Sequence, residues 1–258
     1  MGIINATPDS FSDGGLCLSA QNAAIEAEKM QILGADIIDI GAQSTRPGYE
    51  KISAQEEWAR LCPVLAEIKK RVSLPVSVDT FCVETARKAL ENGASIINDV
   101  TGFSDPEMIF LAAETGAGCI VMHDRNIENE PDCIGAVRGF FEERFETLTR
   151  AGIKPENICF DPGMGFGKTR AQDTEIAANI GKTRVHGRPL LAALSRKRMI
   201  AECIPYATEP KDRDFGTAAA YALSIAAGAD IIRIHNVEAG VQCAAVADRM
   251  KQQNGDRI

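Results

Sequence analysis

Asp79 closes the run VSVD, Asn98 and Asp99 follow SII, and Asp161 ends ICFD, so acceptor groups recur where short apolar runs stop. A carboxylate buried without a partner costs several kcal/mol, so each is expected to be hydrogen-bonded or to hold a ligand. Asp79, Asn98 and Asp161 together suit the edge of an amino-substituted heterocycle. For Asp79 a structural role stays open, as cap of a helix starting near Thr80. Arg233 and His235 alternate in IIRIH and therefore point the same way. An arginine there binds phosphate bidentately and the histidine adds a donor; an internal ion pair is the alternative. Ser195-Arg196-Lys197-Arg198 follows LLAAL at the start of an expected helix, whose N-terminal amides favour anions. Lys197 is the candidate donor to a ring nitrogen or carbonyl, although basic clusters are commonly solvated faces. Asn5, Ser44-Thr45-Arg46 and His123 occupy the remaining run ends. DPGMGFGK (161–168) is neither a Walker loop, since Pro162 stands where that pattern requires glycine, nor GxGxxG. It reads either as a flexible turn or as an Asp followed by glycines that let backbone approach a flat ligand. No Ser or Cys is paired with a base, no metal cage is visible, and His186 reads as surface.

The elements that must position these groups are legible in the apolar period, which switches between buried-strand runs and helical spacing. Strands are expected at 2–6, 36–41, 75–79, 95–98, 118–122, 158–161, 189–194 and 230–235. Helices are expected at 20–33, 54–71, 83–91, 106–115, 135–151, 172–181, 215–227 and 237–252. Gly34, Gly93, Gly116, Gly152 and Gly228 follow helix ends, where a left-handed cap residue belongs. Strictly alternating βα units imply right-handed crossovers and a parallel sheet. Eight of them favour a closed (β/α)8 TIM barrel, an α/β fold of one domain over 1–258. A doubly wound sheet would need a Gly-rich fingerprint after the first strand, and MGIINATPDS has none. In a barrel all these run ends gather at one mouth. The connections 6–19, 42–53 and 123–134 lie there and are long enough to act as mobile lids.

Composition narrows the classes. The 258 residues suit a barrel of this size, and a hydrophobic content of 45% with 25% charged residues is that of a soluble enzyme. A net charge of −8 argues against a nucleic-acid partner, so an anionic substrate needs a local cationic pocket. The eight cysteines form no CxxC pair, and several sit in apolar runs, as reduced cysteines of a cytoplasmic protein do. No signal peptide is expected, and the apolar runs are too short to span a membrane.

The ordered motifs MGIINATPDSFSDGG, DIGAQSTRPG, SVDT, INDV, VMH, DPGMGFGK, ALSRK and IIRIH closely resemble the dihydropteroate synthase family of folate biosynthesis, over nearly the whole chain. The resemblance implies a (β/α)8 barrel transferase that joins a pterin methyl diphosphate to p-aminobenzoate and releases pyrophosphate. It also implies sulfonamide competition at the p-aminobenzoate position. Carried over by position, Asp79, Asn98, Asp161, Lys197 and Met122 would hold the pterin. Asn5 would touch the diphosphate and its Mg2+, and Thr45, Arg233 and His235 would bind phosphate oxygens. Arg46, Pro47, Phe166, Lys197 and Arg198 would frame the p-aminobenzoate. Catalysis would fall to Asn5, Thr45, Arg46 and Lys197, within a cytoplasmic homodimer.

Several positions depart from the family pattern. Gly41-Ala42-Gln43 stands where two glycines and a glutamate are usual, and Ala193 where glycine is usual, in the wall of the pterin pocket. Arg198 replaces a hydroxyl residue, Asn236 an aspartate, and the loop after His123 is acidic (DRNIENEPD). Met1 falls at the first barrel strand, so the N-terminal hairpin of relatives is expected to be lacking. Two other readings share the barrel. A pterin-binding paralogue without condensation activity would be marked by Ala193, Arg198 and the altered loops. A methyltetrahydrofolate methyltransferase is argued against by TPDSF, STRPG and the SRK triplet.

Overall fold

Short β-branched runs such as Gly2-Ile3-Ile4-Asn5 and Val76-Ser77-Val78-Asp79 cannot bury themselves, and here they pair side by side as parallel strands. The computed structural model describes residues 1–6, 15–43, 52–207 and 209–255. The strands are β1 (Gly2–Asn5), β2 (Ile38–Gly41), β3 (Val76–Asp79), β4 (Ile96–Asp99), β5 (Gly118–Met122), β6 (Ile158–Asp161), β7 (Leu191–Ala192) and β8 (Ile231–Ile232). The helices are α1 (Gly15–Ile32), α2 (Ala54–Arg71), α3 (Val83–Glu91), α4 (Pro106–Thr115), α5 (Cys133–Arg150), α6 (Arg170–Ala178), α7 (Arg198–Cys203), α8 (Asp214–Ala226) and α9 (Val237–Gly255).

β1 to β6 form one parallel ladder in sequence order, and β7 pairs with β8. Single bridges close the ring: Phe160 with Leu190 joins β6 to β7, and Gly2 with Ile234 joins β8 to β1. The Phe160 amide donates to Pro189 O (2.9 Å) and the Ile3 amide to Ile234 O (3.1 Å) across those seams. The result is a (β/α)8 barrel. β7 and β8 are both shorter than the sequence pattern suggests, and for β7 the reason is local. The amides of Leu194 and Ser195 donate to the Tyr221 hydroxyl at 2.9 and 3.0 Å instead of to a neighbouring strand.

Helix ends follow local chemistry. Ser53, Asp105, Asp132 and Thr169 cap α2, α4, α5 and α6 through their side chains, and Gln172 completes a capping box with Thr169. Gly34 (φ 97°) and Gly228 (φ 114°) are among the glycines that end a helix in the left-handed region.

Side chains alternate along each strand, which divides the apolar residues into two layers. Ile38, Ile40, Val76, Val78, Ile97, Val121 and Phe160 face outward and pack with α1 to α5 in one large core. Facing inward, Met1, Ile120, Cys159, Leu191 and Ala193 form a second, small cluster, with Ile37, Ile96 and Ile231 against it. This plug fills the floor of the lumen. Above it the inward residues become charged.

Candidate active site

The inward positions next above the floor are Asp39 on β2, Asp79 on β3, Asn98 on β4, Met122 on β5, Asp161 on β6 and Arg233 beyond β8. All but Arg233 are buried, and Arg233 keeps 20% of its side chain exposed. Arg233 Nε donates to Asp39 Oδ2 at 2.6 Å, and its Nη2 donates to Asp79 Oδ2 at 2.7 Å. Asn98 Nδ2 donates to the same Asp39 oxygen at 3.3 Å. Four residues, from three strands and the segment just beyond β8, thus share one network. The second oxygens, Asp39 Oδ1 and Asp79 Oδ1, are buried and have no hydrogen-bond partner among the described residues.

These charges perturb one another. Burial lifts the Asp79 carboxyl to about 7, against the downward pull of Arg233. Burial works against charge on Arg233 as well, but Asp39 and Asp79 outweigh it and hold its pKa above the ordinary value. Asp161 is raised by burial, opposed by Lys197 and by the hydrogen bond from the Gly163 amide at 2.8 Å. Lys197 is lowered by burial, opposed by Asp161. Asp79 does not cap a helix, since the cap of α3 is Cys82, and the internal ion pair considered for Arg233 is the one it makes with Asp39 and Asp79.

The GMGFGK loop lies along one side of this cluster. Lys197 Nζ donates to the Met164 carbonyl and sits 5.2 Å from the centre of the Phe166 ring. The sequence-expected pair of Phe166 and Lys197 is therefore brought together. Beside them, Ser195 Oγ meets His235 Nδ1 at 2.8 Å and accepts from the His235 amide at 3.2 Å, which fixes the imidazole at the end of β8. Arg196, held at φ 60°, makes a two-point pair with Asp214 (2.7 and 2.9 Å), so this member of the basic triplet serves the fold. Asn5 is exposed at the end of β1, and Arg198 is exposed as the first residue of α7. Thr45, Arg46 and Pro47 lie outside the described residues, as do most of the connections 6–19 and 42–53. The third expected lid, 123–134, is tied down: the Ile127 amide donates to Gly167 O at 2.8 Å and Gln172 Nε2 to Ile127 O at 2.8 Å.

Three residues were not singled out from sequence. Asp39 lies inside the buried run ADIIDIG, and an aspartate in the middle of a strand was the available signal. The Tyr221 hydroxyl, which also donates to Arg233 O at 2.5 Å, comes from α8, where it reads as one more apolar helix position. Lys168 closes DPGMGFGK, but nothing in that pattern shows that its side chain folds back into the loop. Ala193, a position where a methyl can crowd a flat ligand, packs its side chain with the floor cluster and is 6% exposed.

An inward ring of carboxylates, one amide and two cations at the C-terminal strand ends is built to read donors on a ligand edge and to neutralise an anion. Comparison with known proteins agrees. A family model described as pterin binding enzyme matches residues 1–235. The dihydropteroate synthase of Synechocystis is 42% identical over 97% of this chain and 89% of its own length. That of Bacillus subtilis is 40% identical over 99% of this chain and 89% of its own length. Among solved structures, the dihydropteroate synthase of Clostridium difficile with pteroic acid has a TM-score of 0.92 at 37% identity, covering 97% of this chain and 95% of that one. The Xanthomonas albilineans enzyme with 7,8-dihydropteroate has a TM-score of 0.88 at 35% identity, covering 97% and 92%. This chain belongs to the pterin-binding enzymes, in the dihydropteroate synthase family.

Proposed function

We propose that the chain condenses 6-hydroxymethyl-7,8-dihydropterin diphosphate with p-aminobenzoate, giving 7,8-dihydropteroate and pyrophosphate in folate biosynthesis. The observation that carries this reading is the pair of orphaned acceptors, Asp39 Oδ1 and Asp79 Oδ1, in a lumen that also holds Asp161 and Lys197. The amino group and ring N–H of a pterin supply the missing donors, and Lys197 supplies one to the ring's own acceptors. Asn98 and Met122 complete the wall.

The diphosphate belongs at the rim with Asn5, Thr45, Arg233 and His235. Arg233 has two of its nitrogens on Asp39 and Asp79, so it meets phosphate oxygens with its remaining edge, already oriented. Among the described residues no cluster forms a dedicated metal cage. Mg2+ usually takes one or two protein oxygens with phosphates and water, and Asn5 fits that pattern, so the ion would offset charge on the departing pyrophosphate. The carbon–oxygen bond to pyrophosphate breaks first, leaving a pterin-methyl cation. The aniline nitrogen then forms the new carbon–nitrogen bond and loses its proton. The protein contributes electrostatic preorganisation and no covalent intermediate. Arg46, Pro47, Phe166, Lys197 and Arg198 frame the p-aminobenzoate, and sulfonamides compete there.

The assembly is a homodimer. Phe215 (92% exposed) and Leu223 (69%) on α8 and Val246 (61%) and Met250 (65%) on α9 leave apolar side chains uncovered on these two neighbouring helices. Among the described residues no helix is long and apolar enough to cross a membrane. The seven cysteines that the structure describes are free, which supports the cytoplasm as the compartment.

Pyrophosphate release with pterin diphosphate and Mg2+, measured with and without p-aminobenzoate, tests this reading. Release that depends on the aniline and yields dihydropteroate is expected. Pterin binding without any condensation product would instead mark a non-condensing paralogue.

A further inference from the structure

Lys168 is buried at the end of the glycine loop, and its ammonium group is engaged by the chain itself. Its Nζ lies 2.8 Å from Phe166 O, 3.0 Å from Gly163 O, 3.0 Å from His123 Nδ1 and 3.4 Å from His123 O. An ammonium has three donors, and these acceptors use them all. The loop can converge on one point because Gly163 sits at φ 67°, where a Cβ would come within 2.1 Å of His123 O. Two further ties hold the same turn: the Gly165 amide on Asp173 Oδ1 and the Ile127 amide on Gly167 O, both 2.8 Å.

Between the two loop carbonyls that Lys168 holds, those of Gly163 and Phe166, lies Met164, whose own carbonyl receives Lys197 Nζ. Phe166, the other held residue, presents its ring to the same ammonium at 5.2 Å. We infer that Lys168 is a positioning residue for capture of the aromatic amine: by pinning Gly163 and Phe166 it sets the Met164 carbonyl and the Phe166 ring that place Lys197. The inference rests on the proposal that Lys197 and Phe166 frame the p-aminobenzoate. Asp79, Asn98 and Arg233 come from β3, β4 and the end of β8, and the side-chain hydrogen bonds among them run to Asp39 or to one another, not to this loop. Of the residues assigned to the pterin, Asp161 stands on β6 itself and takes only the Gly163 amide from this loop, and Lys197 alone is placed by it, so loosening Lys168 acts on the second substrate more than on the pterin.

Lys168→Met keeps the chain length and removes the donors, whereas Lys168→Arg keeps charge and donors in a different fork. A misplacement of about 1 Å can cost up to about 100-fold. The expected result for Lys168→Met is a KM for p-aminobenzoate raised about tenfold or more, with the Kd for a pterin within about threefold of the parent. Lys168→Arg is expected to fall between the two and decides the matter should the Met variant not fold. A KM for p-aminobenzoate that stays at the parent value in either folded variant overturns the inference. So does a loss of pterin and p-aminobenzoate affinity in equal proportion, which a merely structural role would give. Calorimetric titration of p-aminobenzoate into protein loaded with pterin and pyrophosphate reads the same affinity without turnover. Failure of the parent to condense its substrates would strike the proposed function, whereas equal titrations of parent and variants would strike Lys168.

Discussion

The two faces of the same barrel strands carry opposite chemistry. Outward, Ile97, Val121 and Phe160 meet the helices in a layer with no need of polar partners. Inward, one residue along, Asn98, Met122 and Asp161 line a lumen whose acceptors outnumber its donors. The outer face is complete as folded, and the inner face is left unfinished. What the difference teaches is where stability and function separate: outer substitutions should unfold the chain, and inner ones should empty the site of its ligand.

The largest effect is expected at Asp161→Ala. Removing a buried charged acceptor from a bound ligand costs about 2–5 kcal/mol, which takes pterin affinity down by roughly 30- to 4,000-fold. The fold should survive, because Asp161 accepts one backbone hydrogen bond and otherwise faces the lumen. Calorimetry with a pterin, alongside thermal unfolding, checks both halves. Unchanged pterin affinity would remove Asp161 from the site.

Phe160→Ala, one residue away, is the converse. Phe160 is fully buried and stacked on Phe141 at 4.4 Å, so its truncation should cost about 3–5 kcal/mol of stability. Activity per folded molecule should stay near the parent's, read by active-site titration of the soluble fraction. A stable variant with no activity would break the comparison.

How legible was this division? The outward face was plain in the sequence, since runs such as ICF and SII have one interpretation beside amphipathic helices. The strand-end polar residues were legible too, because a short apolar run leading into Asp or Asn needs a reason. Asp39 was harder: its partner Arg233 is 194 positions away, and no local pattern records an ion pair closed by the barrel itself. Tyr221 is similar, an apolar-looking helix residue whose hydroxyl takes the amides that would have lengthened β7. The end of β7 falls short of the sequence expectation for that reason.

The pH response sharpens the comparison further. Asp79 is raised by burial to about 7, so between about pH 4 and pH 7 the folded protein holds a proton that the unfolded chain has released. Its contribution to stability is therefore present in acid and declines as pH rises through about 7. The slope is at most about 1.4 kcal/mol per pH unit. Asp79→Asn should remove that slope and leave the ligand-free variant relatively more stable at pH 8. Parallel curves of unfolding free energy against pH for parent and variant would refute the assignment. The outward-facing neighbour Val78 carries no such titration, so Val78→Ala should lower the whole curve without tilting it.

Asn236 tests the edge of the site, where the two faces meet. Its Nδ2 donates to Asp214 Oδ2 at 3.1 Å, and its Oδ1 accepts from the Ala239 amide at 3.1 Å, in the first turn of α9. Asp214 in turn holds Arg196 in its left-handed conformation. Burial tends to raise the Asp214 carboxyl, but the hydrogen bonds from Arg196 and Asn236 outweigh it and keep it below its ordinary value. Asn236→Asp preserves the acceptor for Ala239 and gains about 0.3–1 kcal/mol from the helix N-terminus. It loses a donor to a charged group, worth about 1.5–3 kcal/mol, and sets two carboxylates side by side. The losses win, so a net destabilisation of about 1 kcal/mol is expected, partly relieved by salt. Thermal unfolding at low and high ionic strength separates these contributions. A variant more stable than the parent at low salt would show that the helix terminus, and not Asp214, governs residue 236.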